Sequence, residues 1–142
     1  MPALSRLLAN VELLSGLPRP VLDELVNRGS SRRSPSGLDL VTEGAEDAGL
    51  QLITEGTAEV FVGGQSVRTL GEGDYFGEMS LIDHAPRSAT VRAGESGCTT
   101  FTISPLSFGQ VMEANPTVSQ ILLLALAGRI RELENRLHSK SD

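Results

Sequence analysis

The chain is poor in aromatic residues, with no tryptophan, one tyrosine and four phenylalanines in 142 positions. So few rings argue against a surface that stacks nucleic-acid bases. Positive charge is also scarce: 12 Lys and Arg stand against 18 Asp and Glu, a formal net charge of −6. That field opposes wrapping DNA or lying on an anionic membrane, so no direct nucleic-acid contact is expected. Cys98 is the one cysteine. It excludes an internal disulfide, reads as a small core residue in the apolar run Cys98–Ile103, and makes a cytoplasmic setting the default. The longest purely apolar run, Ile121 to Ala127, is far shorter than the ~20 residues that span a bilayer. The N-terminus has no basic-then-apolar leader pattern. No membrane insertion is expected.

Glycine is plentiful at 15 residues, and 39% of the chain is apolar. Both fit one compact, turn-rich β domain, 1–142. Leu4, Leu7, Leu8, Val11 and Leu14 recur every three or four positions and predict an amphipathic helix ended by Ser15-Gly16. Pro18 and Pro20 open a second helix, with Val21, Leu22, Leu25 and Val26 on its buried side. From Leu38 the period shortens. Runs at Leu38–Val41, Leu50–Ile53, Ala58–Val62 and Val67–Leu70 are separated by glycine turns, Gly63-Gly64 being a hairpin by composition. Short strands at this spacing indicate a sandwich or barrel. Arg92 to Gly97 reads as a loop and Cys98–Ile103 as the last strand. Ser104-Pro105 and Asn115-Pro116 each open a helix. In the last of these, Leu123, Leu126, Ile130, Leu133 and Leu137 form a two-heptad seam, which packs either on the β domain or on a second copy.

The stretch that carries chemistry is Gly77 to Val91, GEMSLIDHAPRSATV. Glu78 to Asp83 suits one helical turn with a carboxylate at its positive end. Ala85-Pro86 interrupts it, and Arg87-Ser88 leads into a β-like run. An arginine fork and a hydroxyl beside a backbone concavity hold a phosphate, and a nearby carboxylate accepts hydrogen bonds from a ribose hydroxyl. Glu78 and Arg87 lie nine residues apart, which suggests a nucleotide whose phosphate is close to its ribose. Between Asp39 and Glu95 there are 11 acids against Arg68, Arg87 and Arg92. An anion bound there needs a local device, and Arg87 is the candidate. A plain surface salt bridge is the bland reading of Glu78 and Arg87.

The segment resembles the phosphate-binding cassette of cyclic-nucleotide-binding domains. Phe76, Gly77, Glu78, Met79, Ser80, Leu81, Ile82, Pro86, Arg87, Ser88, Ala89, Thr90 and Val91 fall on that pattern without a gap. The resemblance extends from about residue 10 to 137. It implies a mainly β fold: an eight-stranded antiparallel jelly roll, or double-stranded β-helix, with N-terminal helices and two C-terminal helices. On that basis 1–29 are the N-terminal helices, 30–103 the β-roll with its cassette at 76–91, and 104–142 the C-terminal helices. Gly37, Gly44, Gly56, Gly71 or Gly73, and Gly77 look like the family's strand-turn glycines. Leu50–Gly56 departs by offering leucines where the family has aromatics.

The resemblance also implies roles. Glu78 would take the ribose 2′-hydroxyl and Arg87 the cyclic phosphate, with the Ser88 hydroxyl and the backbone of Gly77, Met79 and Ala89 completing the cradle. Ser80 is counted with them as ligand-binding. In the family the last helix moves over the nucleotide and often carries the purine contact or the dimer interface. Arg129 is the candidate lid, a solvated surface charge being the plain alternative. The expected ligand is cAMP, with cGMP as the other candidate, acting on a regulatory sensor module that passes its signal to a second copy of the chain or to an effector domain. A degenerate fold kept as an interaction module is the alternative. No enzyme and no metal are expected. Cupin dioxygenases share the jelly roll but need a His/His/Glu/His set, and this chain offers only His84 and His138. No helix-turn-helix pattern follows residue 137.

Overall fold

The computed structural model describes residues 2–46 and 49–141. The N-terminal apolar stripe forms α1 (Pro2–Ala9) and then a 3-10 turn (Glu12–Leu14), with Leu8, Val11, Leu13 and Leu14 fully buried. Pro18 and Pro20 start α2 (Arg19–Arg28) as their fixed φ and missing N–H predict. The strands follow: β1 (Ser30–Ser34), β2 (Asp39–Val41), β3 (Leu50–Val62), β4 (Gln65–Leu70), β5 (Tyr75–Phe76) and, after the single-turn α3 (Ser80–Asp83), β6 (Thr90–Ile103). The Ser104 hydroxyl caps α4 (Pro105–Ala114), accepting the Ser107 N–H at 3.1 Å. A 25-residue helix, α5 (Thr117–Ser141), follows.

Every strand pairing is antiparallel. The sheet order is β1-β6-β3-β4, with β2 also on β6 and β5 also on β3. There are six strands among the described residues, not the expected eight. The difference arises because β3 and β6 each fuse two expected strands. Glu55-Gly56 bends β3 without ending it, and Arg92 to Gly97, expected as a loop, continues β6. The β3–β6 register shifts between Ile53 and Glu55 and between Gly56 and Ala58, and such bulges re-aim side chains without breaking a strand.

Those shifts divide the core. Leu50, Leu52, Phe101 and Ile103 join a cluster with the helices, including Leu8, Leu25, Phe108 and Val118. Ile53 at the first shift, Cys98 between the two, and Ala58, Val60, Val91 and Ala93 beyond them join Leu40, Val41 and Leu70 in a second cluster. Burial pushes the Cys98 thiol up from its ordinary pKa, against a smaller pull from Arg33.

Three apolar expectations fail at the surface. Val62 and Val67 flank the β3–β4 hairpin and are exposed, and Leu38 is exposed before β2. On α5, Val118 and Leu122 are buried, while Leu123, Ile130, Leu133 and Leu137 are each more than half exposed. Apart from the half-buried Leu126, the heptad seam therefore does not pack on this chain's own sheet. No helix of the described residues is long and apolar enough to cross a membrane.

The crossing of β3 and β6 yields a stability test. Gly56 has φ +83°, and a Cβ there would overlap the Gly97 carbonyl; Gly64 has φ +82° and open space around it. Gly64→Ala should cost about 1 kcal/mol for the left-handed backbone alone. Gly56→Ala should cost about 3 kcal/mol or more, since overlap adds to that strain. Thermal unfolding followed by circular dichroism checks the ranking, and equal losses would contradict the close approach.

Candidate functional site

Phe76 ends β5, and the chain then has to turn sharply. Gly77 does so at φ +80°, and any Cβ at that position would collide with the Arg87 guanidinium and the Gly49 carbonyl. Glycine is required there by both backbone and space. α3 follows at once and is closed by His84 in the left-handed region, φ 54°. Ala85 N–H donates to the Asp83 carboxylate at 2.9 Å, and Pro86 carries the chain to Arg87. Helix and arginine therefore face one hollow.

Arg87 is buried, 8% exposed. Its Nη1 donates to the Gly49 carbonyl at 2.9 Å, and its guanidinium lies 6.0 Å from the Phe76 ring centroid. The backbone is pinned as well: Arg87 N–H donates to Ala45 O at 2.9 Å, and Gly44 N–H donates to Arg87 O at 2.8 Å. Ser80 is committed to the same anchor. Its hydroxyl accepts Gly49 N–H at 2.8 Å and donates to Gly77 O at 2.7 Å. Gly49 thus ties α3 and Arg87 together through its two backbone groups.

Glu78 is equally buried, at 8%. Its Oε2 accepts Leu13 N–H at 3.5 Å, and its Oε1 pairs with Arg129 Nη2 of α5 at 3.0 Å. Arg129 also lies 3.9 Å from Glu12 and donates to Met79 Sδ at 3.5 Å. Partial burial draws its pKa down, but Glu78 and Glu12 outweigh this and hold it above the ordinary arginine value. Arg129 is thus paired at the site, not a solvated surface charge.

These groups surround a cavity of about 620 Å³, lined by all eight sequence-predicted residues: Gly77, Glu78, Met79, Ser80, Arg87, Ser88, Ala89 and Arg129. Its apolar wall is Val41, Val60, Leu70 and Val91, contributed by four strands. Sequence reasoning missed Gly49 and Leu13, which act through backbone atoms and leave no side-chain signal. It also missed Arg68, which lines the cavity from β4. The spacing Arg68–Leu70, with Leu70 inward, was the available sign. Among the described residues no group of three or more His, Cys, Asp or Glu is placed to hold a metal ion.

A buried arginine and a buried carboxylate facing one hollow from a glycine-turned cassette match a known family. The family model for the cyclic nucleotide-binding domain covers residues 31–115. The chain belongs to the cyclic nucleotide-binding domain family. It is 35% identical to a cGMP-dependent protein kinase of Toxoplasma gondii over 62% of this chain and 9% of that protein. It is 39% identical to a cAMP-dependent protein kinase regulatory subunit of Yarrowia lipolytica over 61% of this chain and 24% of that protein. The chain therefore spans less than a quarter of the length of either relative. Among solved structures, the N-terminal domain of a Streptomyces coelicolor transcriptional regulator superposes with a TM-score of 0.82. That match is 25% identical and covers 92% of this chain and 94% of that one.

Within this cyclic nucleotide-binding domain, Ser80 is the support whose loss is easiest to read. Ser80→Ala leaves the buried Gly49 N–H without its acceptor, which costs about 1–3 kcal/mol. Denaturant unfolding should show a loss of that size with an unchanged m-value. A loss below about 0.5 kcal/mol would mean that another acceptor takes over.

Proposed function

We propose that this cavity binds a 3′,5′-cyclic nucleotide as a regulatory sensor and does not turn it over. The observation that carries the reading is the pair Glu78 and Arg87, both buried, both fixed by neighbouring backbone, and both lining one hollow. Arg87, with Ser88 and the backbone of Gly77, Met79 and Ala89, takes the cyclic phosphate. Glu78 takes the ribose 2′-hydroxyl. Arg87 supplies its charge from a water-poor position, where a charge-assisted hydrogen bond is strongest. The long, bulged β3 and β6, each reaching both core clusters, support the jelly-roll description of the fold.

Relatives named for cAMP and for cGMP both match the chain. The former support the expectation of cAMP. The base itself depends on the wall it meets.

The output passes through α5. Arg129 joins that helix to the Glu78 carboxylate, so a ligand that engages Glu78 changes the contacts of α5 directly. Closure of the helix over the base is the switch, with a coupling of roughly 1–3 kcal/mol. The exposed Leu123, Ile130, Leu133 and Leu137 repeat at heptad-like spacing and support a second copy of this helix, or an appended effector domain, as the receiver.

Calorimetry tests the assignment. Arg87→Ala should weaken cyclic nucleotide binding by ~30-fold or more, since a desolvated charge left unpaired costs roughly 2–5 kcal/mol. Glu78→Ala should weaken a ribonucleotide more than its 2′-deoxy analogue. Equal losses for the two would remove the ribose role from Glu78.

A further inference from the structure

Arg129 has a third contact at the site besides its two carboxylates. Its Nη2 pairs with Glu78 at 3.0 Å and lies 3.9 Å from Glu12, while its Nη1 donates to Met79 Sδ at 3.5 Å. Met79 stands at the N-terminus of α3 and lines the cavity. It is 39% exposed, whereas Met112 is partly buried against the helical core cluster, and Met1 lies outside the described residues. Cys98 is fully buried, and burial raises its thiol pKa, so it offers little thiolate to an oxidant. Met79 is therefore the sulfur that solvent reaches where the cassette meets α5.

A thioether sulfur is a weak acceptor, and its sulfoxide carries a polar oxygen instead. We propose that Met79 is a peroxide modification site, and that its sulfoxide fastens α5 to the cassette through Arg129. A sulfur lone pair of Met79 attacks one oxygen of hydrogen peroxide. The S–O bond forms as the O–O bond breaks, and sulfur gives up two electrons. The departing oxygen takes the proton of the transferred one and leaves as water. The new oxygen then accepts a hydrogen bond from the guanidinium. A guanidinium has five N–H donors, and Arg129 uses different nitrogens for Met79 and Glu78. It can therefore bind the sulfoxide oxygen without releasing the carboxylate. Two successive cassette residues, Glu78 and Met79, then hold the same residue of α5. Neither step needs a bound ligand, so this chemical input to α5 is separate from the ligand proposed for the cavity. It is also reversible, because sulfoxide reductases return methionine.

Treating the chain with hydrogen peroxide, then mapping peptides by mass and following amide hydrogen exchange without nucleotide, tests both halves. Met79 should gain one oxygen ahead of Met112. Exchange over residues 117–137 should then slow by about tenfold, the scale of a hydrogen bond to a charged group. Methionine sulfoxide reductases should restore the starting rate. Met79→Leu keeps a side chain of similar size and removes the sulfur, while Arg129→Ala keeps the sulfur and removes the donors. In both variants peroxide should leave exchange over 117–137 unchanged. Oxidation of Met112 before Met79 would overturn the modification site. Faster or unaltered exchange over 117–137 in the Met79 sulfoxide, or the same slowing in Arg129→Ala, would overturn the fastening of α5.

Discussion

The site depends on what Gly49 does with its two backbone groups. Its carbonyl takes Arg87 Nη1 and its N–H goes to the Ser80 hydroxyl, so the loop before β3 clamps both ends of the cassette. A guanidinium at 8% exposure is tolerable only with such partners, because an uncompensated buried charge costs several kcal/mol. Once Arg87 is held, other constraints follow. Gly77 has no room for a side chain, α3 is limited to a single turn, and Ser88 and Ala89 must leave the cassette along the cavity wall. The position of a cationic group in an otherwise acidic chain is thereby set before any ligand arrives, which is what preorganised anion recognition requires.

Glu78 extends this clamp to the helices. Its two oxygens are divided between Leu13 N–H in the 3-10 turn and Arg129 on α5. One carboxylate therefore sees the cavity, the N-terminal helical segment and the C-terminal helix together. The first half of α5 is packed, through the buried Val118 and Leu122 and the half-buried Ile121 and Leu126, whereas Ile130, Leu133 and Leu137 beyond it are exposed. In the proposed switch, a helix packed along its first half and tied further on by Arg129 to Glu78 and Glu12 takes two positions, and a ligand that engages Glu78 biases them.

Much of this was legible in the residues. The cassette gave itself away by residue type and fixed spacing, and all eight residues read from it line one cavity. Helix starts at Pro18, Ser104 and Pro116 were readable because proline and serine act locally. The strand count was not readable, because a bulge and a turn both show as glycine among polar residues; only the partner strand distinguishes them, as at Gly56 opposite Cys98. Val62 and Val67 misled for a related reason, since alternation marks a face but does not say whether the hairpin end is covered. Gly49 was invisible because it works through backbone groups that every residue carries. Arg68 was overlooked because it belongs to no motif, although its phase with Leu70 placed it on the cavity face.

The central claim is that ligand at the cassette reaches α5 through Glu78. Amide hydrogen exchange with and without saturating cyclic nucleotide measures this directly, reading residues 77–89 and 117–137 in the same experiment. Protection should rise in both segments, and in Arg129→Ala it should rise in the cassette while α5 stays unchanged. Protection confined to 77–89 in the wild-type chain would contradict the account, leaving a ligand site with no connection to the helix.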